Sequence, residues 1–163
     1  MVDRSEFDLD LQSLADAKLV VAEPGNPWAM INRHVQLLKR LEQGWFVLPF
    51  TGMHAAETAS ERVVQNGATV EAIVGSSVAD TFQSNPNYAS AIEETTVTGR
   101  SDIFAHDGEL PYALNCINDT LQIIAAEGDE PRALVETDSE EVREWAKGEY
   151  ERYKRDSEEL SCP

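Results

Sequence analysis

Residues 45–75 read "WFVLPF", "TGMHAAETASERVVQNG" and "ATVEAIVG", and this succession constrains the fold more than any other part of the chain. Trp45–Phe50 and Thr69–Gly75 are short apolar runs rich in aromatic and β-branched residues, as buried strands are. Between them Met53, Ala56, Ala59 and Val63 recur at helical spacing, and Asn66-Gly67 supplies a stop. A strand, a helix and a strand joined this tightly form a right-handed βαβ unit, so the two strands are predicted to lie parallel.

The flanking pieces fit around that unit. Ala17–Pro24 ("AKLVVAEP") is predicted as an earlier strand. A helix is expected after it, capped by Asn26 with Pro27 in its first position. Trp28, Ile31, Val35 and Leu38 lie on its apolar face and Gly44 ends it. Residues 76–95 form a weaker helical region interrupted at Asn85-Pro86. Four strand-like pieces follow, "SDIFAHDGE", "PYALNCIND", "TLQIIAAEGD" and "PRALVETD". They are separated by the turn pairs Asp107-Gly108, Asn118-Asp119 and Gly128-Asp129. Their connections are too short for crossover helices, so antiparallel pairing is expected of all four.

A closing helix opens at Asp138, with Glu141 placed as in a capping box. Its stripe of Val142, Trp145, Ala146, Tyr150 and Tyr153 suits either the core or a dimer contact. The expected fold is thus α/β: a mixed sheet, parallel in its βαβ first half and antiparallel in its second, with a C-terminal amphipathic helix. Residues 14–156 are expected to be a single domain. Residues 1–13 read as a tail or linker remnant and 157–163 as a C-terminal tail.

The 163 residues carry 13 basic against 30 acidic side chains, a net charge of −17, with four lysines against nine arginines. At 42% apolar the chain can build a core, so it is not read as a disordered acidic segment. The acids are spread along the whole chain. That favours solvation in a salty cytoplasm, where charge repulsion is screened, over mimicry of nucleic acid or docking of a basic partner. No basic patch is available to bind DNA phosphates. No apolar run approaches the length of a membrane span, and "MVDRSEFDLD" lacks the regions of a signal peptide, so a cytoplasmic location without membrane association is expected. Cys116 sits in an apolar run as a buried thiol and Cys162 lies next to the end, which is neither a disulfide framework nor a metal pattern.

Catalytic signals are thin. His106 invites comparison with phospholipase D enzymes, whose motif needs a histidine nucleophile, a lysine two residues later and an aspartate five beyond that. Gly108 and Ala113 stand at those two positions, so the transition-state charge would have no clamp. Thr51, Gly52 and His54, at a strand-to-helix junction, could cradle a carboxylate or phosphate on free backbone N–H groups, or simply cap the helix. Ser76 and Ser77 stand at the corresponding place after the next strand, where ligands of open parallel sheets gather. Arg100 could pair with an anionic ligand or, more simply, with Asp102. His34, beside Arg33, reads as a satisfied half-buried histidine. No nucleotide-binding or hydrolase fingerprint and no cluster of metal ligands is visible, and no cofactor is expected.

The order of "VVAEP", a helix, "VLPF", a helix ending in glycine and "VEAIVG" leads into "LPYALNCINDTLQI" and "ALVETDSEEVREWAKGEYERY". This resembles the effector domain behind the winged helix of archaeal transcription regulators of the methanogenesis-regulator (Fil-type) family. It is more distantly similar to the TrmB-type effector domain, whose architecture is like that of phospholipase D without its catalytic residues. Trp145, Tyr150 and Tyr153 occupy the places of the family's tryptophan and aromatic-rich helix end. The resemblance implies a non-enzymatic, ligand-sensing and dimerising domain that reaches DNA only through a winged helix. Only about 13 residues precede the first matched element, so no winged helix is expected within this chain. It implies a small, anionic metabolite as ligand and a homodimer as the assembly. The alternatives are a protein-interaction module without a small ligand and a degenerate phosphodiesterase-like hydrolase.

Overall fold

The computed structural model describes residues 18–21, 29–127 and 130–160. They form an eight-stranded mixed sheet with helices on both faces. In chain order the elements are β1 (Lys18–Val21), α1 (Ala29–Leu38), β2 (Gln43–Leu48), α2 (Met53–Asn66), β3 (Thr69–Gly75), α3 (Ser76–Ser84) and α4 (Pro86–Thr96). Then come β4 (Ser101–His106), β5 (Ala113–Ile117), β6 (Thr120–Glu127), β7 (Glu130–Thr137), α5 (Glu140–Arg155) and β8 (Ser157–Glu159). The strands lie in the order β1-β7-β6-β5-β2-β3-β4-β8.

The βαβ unit forms as its sequence requires: β2 and β3 are parallel, and α2 ends on Gly67 in the left-handed conformation at φ 75°. Asn85 caps α4, accepting from the Asn87 N–H at 3.0 Å, with Pro86 in the first turn. One strand runs against expectation. β4 is parallel to β3, because α3 and α4 together make a second crossover. β5 then returns to the far side of β2 and pairs antiparallel with it, and β6, β7 and β1 continue antiparallel. The parallel half is therefore three strands wide.

Three element ends also differ from the sequence reading. Helix α1 stops at Leu38 in a tight turn, Arg40 N–H bonding the Leu37 carbonyl at 2.9 Å. Gly44 lies in β2 instead. A β carbon there would stand 2.8 Å from the Cys116 carbonyl oxygen and 2.9 Å from Leu41 Cδ1, so glycine answers a close approach and ends no helix. Ser139, not Asp138, caps α5, its hydroxyl accepting from the Val142 N–H at 3.4 Å. Residues Ser157–Glu159, expected as tail, pair antiparallel with β4 as β8. Two glutamates in three residues carry no apolar signal of a strand. The proposed cap Asn26, Pro27 and Trp28 of α1, the Gly128-Asp129 turn, the 1–13 tail and Cys162 lie outside the described residues.

Side-chain alternation divides the core between the two faces of the sheet. On one face Val47, Ile73, Leu114 and Leu121 meet Val142, Ala146 and Tyr150 of α5. Tyr150 packs on Trp45 with ring centroids 5.0 Å apart, Trp145 stacks beside Tyr112, and Tyr153 lies against His106. The aromatic stripe of α5 thus closes this face. On the other, α1 and α2 bury Leu37, Leu38, Leu41 and Val63 against Phe46, Ala72 and Ile117, while α3 and α4 cover Val74 and Ile103. Each large side chain buried in this way contributes on the order of 1.5–3 kcal/mol. Cys116 is a buried free thiol whose pKa burial pushes up.

Candidate functional site

Register turns three polar residues into one line. Asn115 on β5 pairs with Gln122 on β6, and Gln122 pairs with Glu136 on β7. Cross-strand partners hold their side chains about 5 Å apart on one face, so two amides and a carboxylate form a row beneath α1. All three are buried. In the other direction the same line runs from Asn115 to Phe46, Ala72 and Ile103. Asn115 is where the row changes from polar to apolar.

Helix α1 satisfies the polar half. Arg33 donates from Nε to Glu136 Oε1 at 2.8 Å and from Nη2 to Oε2 at 2.5 Å, a two-pronged charged pair. Gln122 Nε2 donates to Glu136 Oε1 at 3.1 Å. A carboxylate only accepts, so this bond orients the amide and leaves Gln122 Oε1 to accept from His34 Nδ1 at 2.8 Å. His34 therefore holds its proton on Nδ1 and a lone pair on Nε2. Burial pushes the imidazole pKa below its ordinary value, against the upward pull of the Gln122 bond, and the ring is neutral. Asn115 differs from the rest of the row: its amide oxygen has no hydrogen-bond partner. A buried acceptor left in that state costs about 1–3 kcal/mol.

Asn115 also lines a cavity of about 500 Å³ between the sheet and α1, α2 and α4. Its floor includes Phe46, Ala72, Ile103 and Asn115, and His34 forms part of its wall. The space exists because the facing turns of α2 and α4 carry small side chains, Ala55, Ala56, Ala59, Ser60 and Ala91, which do not reach the sheet. A volume of this size is in the usual range of small-molecule sites. Among the described residues no Lys, Arg, Asp or Glu lines it.

The residues singled out in the sequence separate into three places. Thr51, Gly52 and His54 border the cavity at the start of α2, where Gly52 is the N-cap and makes no side-chain bond. Ser76 and Ser77 open α3 directly after the end of β3, are exposed, and do not reach the cavity. Arg100 borders a second, more polar depression with Glu71, Asp102 and Lys147. Its Nη2 donates at 2.7 Å to the Val63 carbonyl near the end of α2 rather than pairing with Asp102. Asn115, Gln122 and His34 were not read as one site. The available signal was a lone amide inside each of two apolar strands, "ALNCI" and "TLQII".

His106 stands on the opposite face from the cavity. It is buried edge-on against Tyr153, centroids 5.4 Å apart and planes at 88°, and its Nδ1 lies 3.1 Å from the Gly108 carbonyl oxygen. A β carbon at position 108 would come within 2.6 Å of the imidazole Cε1, so the loop has no room for a lysine there. Ala113 lines the cavity, on the other side of the sheet, so an aspartate at that position would not face His106. Among the described residues no group of three or more His, Cys, Asp or Glu side chains could hold a metal, and no helix is long and apolar enough to cross a membrane.

The sequence pattern of the family described as methanogenesis regulatory protein FilR1, middle domain, matches residues 27–156. No curated protein matches the chain. Several solved structures share its fold. TrmBL2, an archaeal chromatin protein whose structure shows a novel mode of DNA binding, superposes with a TM-score of 0.67 at 10% identity. That match covers 93% of this chain and 56% of TrmBL2, so the chain spans little more than half of that relative. NucT from Helicobacter pylori gives 0.63 at 16% identity, over 88% of this chain and 98% of NucT. Nuc from Salmonella typhimurium, a phospholipase D family member, gives 0.64 at 8% identity, over 88% of this chain and 98% of Nuc. At these identities the likeness is one of fold.

Proposed function

Because this chain belongs to the family of the FilR1 middle domain, a regulatory domain of archaeal transcription regulators, we propose that it senses a small molecule in the cavity between its sheet and helices α1, α2 and α4. One observation carries this reading. Asn115, whose buried amide oxygen is unpaired in the protein itself, lines a space large enough for a ligand that would pair it. Binding there draws α1, α2 and α4 toward the sheet, and a ligand that prefers the closed packing shifts the population toward it. The change reaches DNA through an attached DNA-binding domain, with a homodimer of effector domains as the carrier. The domain performs no catalysis in this reading. The phospholipase D-like position retains its histidine but has glycine and alanine where the motif needs lysine and aspartate, and α5 covers it.

Native mass spectrometry of the purified protein tests the proposal, alongside Ala59→Phe, which fills the cavity from α2. The unaltered protein is expected to retain or take up a small molecule that the variant excludes. The same spectra give the mass of the assembly with and without it. A bare chain in both, with no stabilisation by any member of a small-molecule panel, ends the sensor reading in favour of a protein-interaction module.

A further inference from the structure

We infer that the cavity selects an uncharged, mainly apolar molecule whose polar end donates hydrogen bonds to Asn115 and His34, and so does not take the anionic metabolite expected from the sequence. The inference rests on the sensing role proposed for this cavity and adds the chemistry of what fills it.

Asn115 presents a buried carbonyl oxygen with nothing bound to it. His34 has spent its one proton on Gln122, and its other ring nitrogen can only accept while the imidazole is neutral. Two wall hydroxyls are committed as donors: Thr95 donates to the Ile92 carbonyl at 2.8 Å and Ser60 to that of Ala91 at 3.5 Å. What remains in the interior carries no charge: the acceptors of Asn115 and His34 and the neutral hydroxyls of Tyr88 and Ser101. A ligand carboxylate or phosphate, itself acceptor-only, would meet lone pairs on Asn115 and His34 and only neutral hydroxyls as donors. It would also give up its water in a space with no lysine or arginine on its described walls, inside a protein of net charge −17.

The nearest cation offers no relief. Arg33 is held by both oxygens of Glu136, so this pair adds no net charge to the row. The backbone N–H groups that begin α2 lie at the cavity border, where water competes for them. A polyol is disfavoured for the opposite reason. Most of the wall is alanine, methionine, phenylalanine and isoleucine, which would leave several of its hydroxyls unpaired. An alcohol, phenol or amide N–H on an apolar skeleton satisfies Asn115 and loses little on entry.

Three probes of one skeleton test this: naphthol, naphthalene and naphthoate, titrated by calorimetry against the unaltered protein and against Asn115→Leu. Naphthol should bind about tenfold tighter than naphthalene, and naphthoate more weakly than both. Asn115→Leu should bring naphthol and naphthalene to within about twofold of each other, because only the pairing of the donor is lost. The inference is overturned if naphthoate binds tightest, if naphthol and naphthalene bind alike to the unaltered protein, or if the naphthol preference survives in Asn115→Leu. The comparison on the unaltered protein decides the matter even where the variant does not fold. Binding of none of the three removes the cavity as a ligand site and takes the sensor reading with it.

Discussion

Tyr150 on α5 donates its hydroxyl hydrogen to Oε1 of Glu71 on β3, and Lys154, one turn further along the helix, reaches the same oxygen at 2.7 Å. Burial alone would raise the Glu71 pKa, but the Lys154 ammonium and the Tyr150 hydroxyl outweigh it, and the carboxyl lies below its ordinary value. Tyr150 is pushed the other way, first by burial and then by the carboxylate that accepts its proton. Lys147 sits 4.6 Å from the centre of the Tyr150 ring and 5.3 Å from that of Trp45. Two of the chain's four lysines thus fasten one helix to two neighbouring strands, β2 and β3.

Tyr150→Phe keeps the ring against Trp45 and removes only the hydroxyl. A hydrogen bond to a charged acceptor contributes about 1.5–3 kcal/mol, and that is the expected loss in urea unfolding at neutral pH. The sign of the pH effect follows from the direction of the shift. A depressed carboxyl stabilises the fold above the ordinary glutamate value of about 4.3, and the contribution fades as pH falls through the lower folded value. Below that range the gap between Tyr150→Phe and the unaltered protein should narrow. A constant gap down to the acid limit would show that Glu71 is not the partner that matters.

His34 predicts a different pH profile. Its lowered pKa means that the unfolded chain binds a proton that the folded chain refuses, so stability falls as pH drops below about 6.5 and levels off at the folded value. His34→Asn keeps an N–H donor near the position of Nδ1 and cannot titrate. Unfolding of this variant between neutral and mildly acidic pH should show a shallower slope. An unchanged slope would place the titrating group elsewhere.

Asn118 binds a loop through its backbone and side chain together. It turns the β5–β6 hairpin at φ 56°. Its Oδ1 accepts from the Glu42 and Gln43 N–H groups at 2.9 and 3.3 Å, and its Nδ2 donates to the Arg40 carbonyl at 2.8 Å. Asn118→Ala loses these bonds and strains a left-handed backbone, for an expected cost of about 2–4 kcal/mol. Asn118→Gly loses the bonds alone and should cost less. Equal melting temperatures for the two would mean that the backbone contributes nothing.

Restoring the phospholipase D-like motif should not restore its chemistry. Gly108→Lys drives a β carbon into His106, and Ala113→Asp buries a charge in the apolar cluster of Met30, Ile124 and Leu134. An unpaired buried charge costs several kcal/mol, so the double variant should be severely destabilised and inactive on a phosphodiester such as bis-p-nitrophenyl phosphate. Turnover by a folded double variant would reopen the hydrolase alternative.

Local chemistry made most of the fold legible. The βαβ unit, the Asn85-Pro86 break and the Asn118-Asp119 hairpin each follow from residues close together in the chain. The direction of β4 did not, because it depends on α3 and α4 acting as one crossover, and a short helical segment broken by proline gives weak notice of that. The site was harder still. Asn115, Gln122 and Glu136 are separated in sequence by 7 and 14 residues and meet only through the registers of β5, β6 and β7, which no local pattern specifies. Thr51, Gly52 and His54 were reachable because one turn contains all three. Arg100, taken with them, turned toward the Val63 carbonyl, a partner that depends on how α2 lies over the sheet.

The alternation that sends Phe46 and Asn115 to one face and Val47 and Leu114 to the other makes the sheet a partition wall. Inheritance can work on the two rooms separately. The chamber under α1, α2 and α4 can be refitted for a new molecule by exchanging alanines and polar residues, while the joinery of α5 stays as it was. A lineage of regulators could diversify what it detects at small cost to its frame.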